Sequence, residues 1–206
     1  MIYKAENINC DFYSDLLFET AYNNMSSERQ QKADRFVHTA DKRLCVFSDM
    51  LLRDMLETHF GLKNPVFSAN SKGKPILLNS YLHFNISHSK NFVACAIDTK
   101  PVGIDIQSYN EMNPLRIMEK ICTEEESEFI KTGADGTETL KRFYMVWSAK
   151  EAYLKYTGEG LSGGLQQISV ANKKGMKEKL GENIYLLCIA EKDYSLSVVT
   201  ENPVSN

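Results

Sequence analysis

The chain has 206 residues, a formal net charge of −3, 43% apolar residues and 25% charged residues. That is the composition of one globular domain, or of two small halves sharing a core, long enough to bury that core without staples. It excludes a disordered, collagenous or disulfide-built chain; the mild acidity argues against a general nucleic-acid binder but leaves room for a local basic pocket for a small polyanion.

No run of eighteen apolar residues is present, so no membrane-spanning helix is expected. The first residues lack a basic segment followed by an apolar one, so no signal peptide is read there. Cys10, Cys45, Cys95, Cys122 and Cys188 are odd in number, widely spaced and without a CxxC pair. Reduced, mostly buried thiols in a cytoplasmic protein are expected.

In chain order, residues 26–60 read as helix. Ser26 or Ser27 caps the first piece, and Thr39 or Asp41 the second. Leu44, Phe47, Leu51, Met55 and Leu56 recur at helical spacing before the stop at Gly61. Lys72-Gly73-Lys74-Pro75 signals a turn. Leu82–Ile86, Phe92–Ile97 and Val102–Ile106 read as strands, the second apolar enough for burial on both faces. Thr123 to Glu126 is a capping box, and residues 137–157 form a helix ending near Gly158 and Gly160. Ile168–Ala171, Ile184–Ile189 and Leu196–Val199 are short strand candidates. Helices and strands thus alternate in both halves about a centre near residue 105, a mixed α/β (α+β) chain. Direct comparison of the halves gives only faint similarity.

Three segments carry chemistry: Phe84-Asn85-Ile86-Ser87-His88-Ser89, Val102-Gly103-Ile104-Asp105-Ile106-Gln107, and Trp147 to Lys155 running on to Gly158-Glu159-Gly160-Leu161. Asp105 and Gln107 lie two apart on a strand and point to one face. Asp105 either binds a hard cation there or simply turns the chain. Trp147, Glu151 and Lys155 are four apart on one helix face. They either serve a metal and a phosphate together or make an ordinary surface ion pair. Ser87 and His88 are adjacent on a strand, so they point to opposite faces and make no nucleophile–base pair, and no G-x-S-x-G elbow surrounds Ser87. A metal nuclease is excluded by geometry, because its acid and lysine lie two apart on a strand. Arg29, Lys32, Arg35, Arg43 and Lys74 are scattered cations, each most often a solvated charge. Taken with Asp105 and Glu151 they would suit a polyphosphate plus a divalent metal.

NISHS, GIDIQ and WSAKEAYLK followed by GEGL, in this order and spacing, resemble the Sfp-type 4′-phosphopantetheinyl transferases. The resemblance spans most of the chain, including RQQKADRF, DKR and the SKGKP turn. It implies two similar α/β halves packed pseudo-symmetrically in one monomer, residues 1–105 and 106–206, with the site between them. It implies transfer of the phosphopantetheine arm of coenzyme A to a serine of an apo acyl or peptidyl carrier protein, with Mg²⁺ as the metal. No nucleic acid or membrane partner is implied. By the same resemblance Asp105 and Glu151 match the metal-binding acids, and Lys155 matches the lysine beside the pyrophosphate. His88, Lys74 and Arg43 match groups holding the 3′-phosphate end of coenzyme A, with Arg29 and Lys32 as further phosphate contacts. Ser87, Gly73 and Pro75 match the adenine-side wall. Gln107 stands where the family usually has Glu, and an amide oxygen ligates magnesium more weakly than a carboxylate. That substitution is the one feature favouring the alternative, a non-catalytic module that binds coenzyme A or a carrier. The stretch Tyr109–Ile121, with Met112, Leu115, Ile117, Met118, Arg116 and Lys120, is read as either a carrier-docking surface or a core-facing helix.

Overall fold

Two 22-residue helices, each stopped by a left-handed glycine, and two antiparallel hairpins carry the architecture. The computed structural model describes residues 1–10, 12–71, 73–110, 115–158, 160 and 164–203. The first half runs β1 (Ile2–Asn7), α1 (Asp15–Asn23), α2 (Ser27–Asp34), α3 (Thr39–Phe60), β2 (Phe67–Ala69), β3 (Pro75–Leu77), β4 (His83–Ser89) and β5 (Phe92–Asp98). The second runs β6 (Val102–Ser108), α4 (Leu115–Ile121), α5 (Glu124–Lys131), α6 (Gly136–Thr157), β7 (Ala171–Asn172), β8 (Gly175–Met176), β9 (Lys179–Gly181), β10 (Ile184–Ala190) and β11 (Tyr194–Thr200). Each half therefore runs strand, two short helices, long helix, two-stranded ribbon and hairpin, with β9 extra in the second.

Local chemistry sets the boundaries. Ser26 caps α2 by accepting from the Arg29 amide, and the two expected pieces of the 26–60 stretch part at residues 35–38. Neither Thr39 nor Asp41 caps α3; His38 takes that place without a side-chain bond. Gly61 and Gly158 end α3 and α6 at φ of 66° and 70°, where a side chain would be strained. The capping box of Thr123 and Glu126 forms as expected. The expected strand Ile168–Ala171 does not form: only Ala171 is in a strand, and a 3-10 turn at Leu165–Gln167 precedes it.

The sheets are antiparallel, in the orders β1-β5-β4 and β6-β11-β10-β9. They stack face to face between α3 and α6. Val93, Cys95 and Ile97 of β5 meet Leu44, Phe47, Leu51 and Met55 of α3. Ala94 and Ala96 on the other face meet Ile104, Ile106, Leu196 and Val198 of the second sheet. β5 is thus buried on both faces, as its near-continuous apolar run implies. α6 covers the outer face of the second sheet. In α4, Met118 and Ile121 are buried in that core while Arg116 and Lys120 are exposed. Tyr109, Ile117, Met118 and Ile121 are therefore core-facing; Met112 and the Leu115 side chain lie outside what the structure describes.

Behind α6 sits a dry ionic knot. Lys150 Nζ meets Glu126 Oε2 at 2.7 Å with both side chains fully buried. Its other bonds go to the carbonyls of Leu165 and Ile168 at 2.8 and 2.5 Å. Glu126 in turn accepts from the amides of Thr123 and Val170 at 2.7 and 2.8 Å. Every polar atom of the pair has a partner, which buried charges require. All five cysteines are free, with Cys45, Cys95 and Cys122 buried. Among the described residues no helix is long and apolar enough to cross a membrane.

Candidate active site

β6 turns Gly103, Asp105 and Gln107 toward α6, and Ile104 and Ile106 toward the first sheet. Gly103 lets the helix approach to backbone contact: a Cβ there would lie 2.1 Å from the Ala152 carbonyl oxygen. One turn along, the helix presents Glu151 and Lys155 over Asp105. Lys155 Nζ lies 2.7 Å from Asp105 Oδ1, 2.8 Å from Ser87 Oγ and 3.2 Å from the Ile104 carbonyl. Ser87 donates to the same Asp105 oxygen at 2.8 Å, and Gln107 Nε2 donates to Oδ2 at 2.8 Å. Asp105 is buried, with 3% of its surface exposed, so these donors compensate a desolvated charge. Glu151 receives no hydrogen bond among the described residues. Burial pushes its pKa up, the nearby Asp105 charge adds to the rise, and Lys155 opposes it.

These groups floor a cavity of about 400 Å³, and an adjoining cleft of about 300 Å³ carries Gly73, Lys74 and Gly160. The cavity wall holds Arg29, Lys32, Pro75 and His88. Arg29 is held by Asp49, whose two oxygens take Arg29 Nε at 3.2 Å and Arg53 Nε at 2.6 Å. Lys74 sends Nζ to the Lys155 carbonyl at 2.6 Å; burial, then the Lys155 charge, lower its pKa. His88 is exposed at the mouth, yet the protein crowding it, and then Lys155, hold its imidazole below the ordinary value. A cationic wall facing an acidic floor fits a polyanion bound together with a hard divalent cation. Among the described residues no three His, Cys, Asp or Glu side chains cluster; Asp105 and Glu151 are the carboxylates of the cavity lining that could hold such an ion.

Of the residues expected from sequence, Arg29, Lys32, Pro75, Ser87, His88, Asp105, Glu151 and Lys155 line one cavity, and Gly73 and Lys74 line the cleft beside it. Arg43 is not brought there. Its guanidinium pairs with Asp15 at 2.9 Å, donates to the Tyr13 carbonyl and stacks on Phe47, so it fastens α1 to α3. Gln107 is not among the residues lining that cavity, and its amide donates to Asp105 Oδ2. Trp147 shares the stripe with Glu151 but packs edge-on against Phe143 in the core. Leu161 lies outside the described residues. The sequence reading missed Asp49 and Asn85. An aspartate inside the apolar stripe of α3 was the available signal for the first.

A family model described as the 4′-phosphopantetheinyl transferase superfamily matches residues 101–200, and its N-terminal companion matches residues 14–100. The transferase gsp of Aneurinibacillus migulanus is 33% identical over 147 residues, covering 70% of this chain and 61% of that protein. Sfp of Bacillus subtilis (strain 168) is 35% identical over 149 residues, covering 71% and 66%. A further Bacillus subtilis 4′-phosphopantetheinyl transferase is 35% identical over 155 residues, covering 72% and 67%. This chain thus spans roughly two thirds of the length of the relatives it matches. A solved holo-(acyl-carrier-protein) synthase from Bacillus anthracis aligns with 48% of this chain and 93% of its own length, at 26% identity and a TM-score of 0.40, too loose a likeness to carry an argument. With the two family models meeting at residues 100 and 101, the chain belongs to the 4′-phosphopantetheinyl transferase superfamily.

Proposed function

We propose that this protein transfers the 4′-phosphopantetheine arm of coenzyme A to a serine hydroxyl of an apo acyl or peptidyl carrier protein, releasing adenosine 3′,5′-bisphosphate. The observation that carries this reading is the meeting of Asp105, Glu151 and Lys155 at the floor of a cavity walled by Arg29, Lys32 and His88. The relatives' transferase names supply the reaction class. Asp105 and Glu151 would hold Mg²⁺. When bound, the ion supplies charge neutralisation at the pyrophosphate.

The chain's own residues do the rest. The basic wall grips the 3′-phosphate end and fixes the pyrophosphate over the floor. Lys155 sets a positive charge beside the oxygens where negative charge develops. Glu151, whose pKa burial raises, takes the serine proton as the serine oxygen bonds to the β-phosphorus and the bond to the leaving bisphosphate breaks. The reading carries with it a cytoplasmic monomer of two pseudo-symmetric halves. The repeated element order and a cavity lined from both halves support that pairing, with the halves parting between Asp98 of β5 and Val102 of β6 and not inside β6 at 105.

Intact-mass spectrometry of an apo carrier incubated with this protein, coenzyme A and Mg²⁺ tests the proposal. A phosphopantetheine mass gain that EDTA abolishes is the expected result. Coenzyme A binding without any gain across a panel of carriers would replace it with the binding module. Two smaller effects follow from the wall and the floor. Asp49→Asn loosens Arg29 and should raise the coenzyme A KM about fivefold with little change in kcat, read in steady-state kinetics. Gln107→Glu adds a third carboxylate and should lower the Mg²⁺ concentration for half-maximal rate by about tenfold, read in a metal titration.

A further inference from the structure

The two sheets meet without a shared backbone ladder. β6 is an edge strand, and its open side carries the amides that do not face β11. Three of them are taken by side chains of β4. Ile104 N–H donates to Asn85 Oδ1 at 2.9 Å, Ile106 N–H to Ser87 Oγ at 3.3 Å, and Ser108 N–H to Ser89 Oγ at 3.0 Å. Each pair is 19 residues apart, so the strands run parallel and in register. Asn85, Ser87 and Ser89 are alternate residues and leave one face of β4 together. That face is laid against the edge of β6, while Phe84 and Ile86 on the other face join the core under α3. The bond is returned once, by Ser108 Oγ donating to the Ser89 carbonyl at 3.0 Å.

The middle tooth also grips the site. Ser87 Oγ bonds Asp105 Oδ1 and Lys155 Nζ, each at 2.8 Å. The outer teeth therefore fix the register in which Asp105, Ser87 and Lys155 meet. The other long hairpin has no such device: Ile189 opposite Leu196 and Leu187 opposite Val198 hold the places that Ser87 opposite Ala94 and Asn85 opposite Ala96 hold here. Simple apolar packing suffices at that junction. The polar teeth occur where the cavity floor is built.

We infer that Asn85 and Ser89 are positioning residues: together with Ser87 they form a side-chain zipper that replaces a backbone ladder and holds Asp105 in reach of Lys155. The kinetic part of this inference rests on the transferase reading; the structural part does not. The experiment measures amide hydrogen exchange and transfer kinetics on Ser89→Ala, Asn85→Ala and Ser89→Thr, which keeps the hydroxyl. In Ser89→Ala the Ser108 amide, and in Asn85→Ala the Ile104 amide, should exchange about tenfold faster, while β5 amides keep their protection. In Ser89→Ala kcat should fall about tenfold with the coenzyme A KM within twofold, because misplacement of the floor leaves the wall intact; Asn85 itself lines the cavity, so Asn85→Ala is read by exchange at Ile104. Ser89→Thr should restore both readouts. Unchanged exchange at Ile104 and Ser108 overturns the inference. So does acceleration spread evenly over β5, β6 and β11 with kcat per folded molecule preserved, since that is general loss of stability. A wild-type protein that transfers nothing would sink the transferase reading, and the exchange data alone would then decide the zipper.

Discussion

Gly103→Ala is expected to separate α6 from the second sheet. The added Cβ would sit 2.1 Å from the Ala152 carbonyl oxygen, 2.5 Å from the Tyr156 nitrogen and 3.0 Å from the Tyr156 Cα. All three atoms are backbone, so no side chain can swing aside. The helix has to lift off β6, and it is the helix that carries Glu151 and Lys155. Overpacking against rigid backbone costs about 3 kcal/mol or more. For a chain of this size that lowers Tm by roughly 6–12 °C. The same displacement should cut the transfer rate by about a hundredfold or more, because a shift near 1 Å at a phosphoryl-transfer site is that costly. Thermal unfolding and the carrier mass assay check the two numbers separately. A variant with wild-type Tm and rate would mean that the contact between helix and strand is looser than described.

Glu151→Gln should destroy transfer and at the same time stabilise the fold. The loss, about a thousandfold in rate, is what the proposed mechanism requires, since the variant would lack its proton acceptor and one of its two carboxylate ligands. The gain follows from linkage. Burial and the Asp105 charge raise the Glu151 pKa in the folded protein. The folded state therefore holds this proton more tightly than the unfolded chain, whose Glu titrates at about 4.3. The stability that this tighter hold contributes is present below that value and is lost as pH rises through the raised folded value. At neutral pH the ionised Glu151 is a liability that glutamine removes. Metal-free Glu151→Gln should thus melt above the wild type at pH 7, and the advantage should vanish on acidification below about pH 4. A wild type that melts above the variant at pH 7 would contradict the placement of Glu151 beside Asp105.

Much of this site is legible in the sequence because its residues sit on regular elements. Strand alternation puts Asp105 and Gln107 on one face, and helical spacing puts Glu151 over Lys155. What the pattern does not encode is which partner each side chain finds. Arg43 has the same local signature as Arg29, yet Asp15 and Phe47 take it elsewhere. Asn85 and Ser89 stand out in the sequence as parts of NISHS, but their partners appear only when β6 is laid beside β4, a contact between sheets that no local period reports. The short elements were invisible for a related reason. β2 and β3, at three residues each, are too brief for a period to repeat, and residues 168–170 have strand composition while Lys150 takes the Ile168 carbonyl and Glu126 the Val170 amide. The two helical pieces within 26–60 are legible, but the cap of the second is not: His38 holds that place without a side-chain bond, so neither Thr39 nor Asp41 marks it.

The knot of Lys150 and Glu126 has a consequence for how this sequence can change. Either charge alone in that dry interior is worth several kcal/mol of instability, whereas two apolar residues of similar volume cost little. The two positions are therefore locked into a joint vocabulary, with the charged pair and the apolar pair as its permitted words and every single replacement forbidden. A library randomising both codons at once, sorted for folded protein, should return those two solutions and almost nothing between them. A population walking one substitution at a time would have to cross an unfolded intermediate to pass from one to the other.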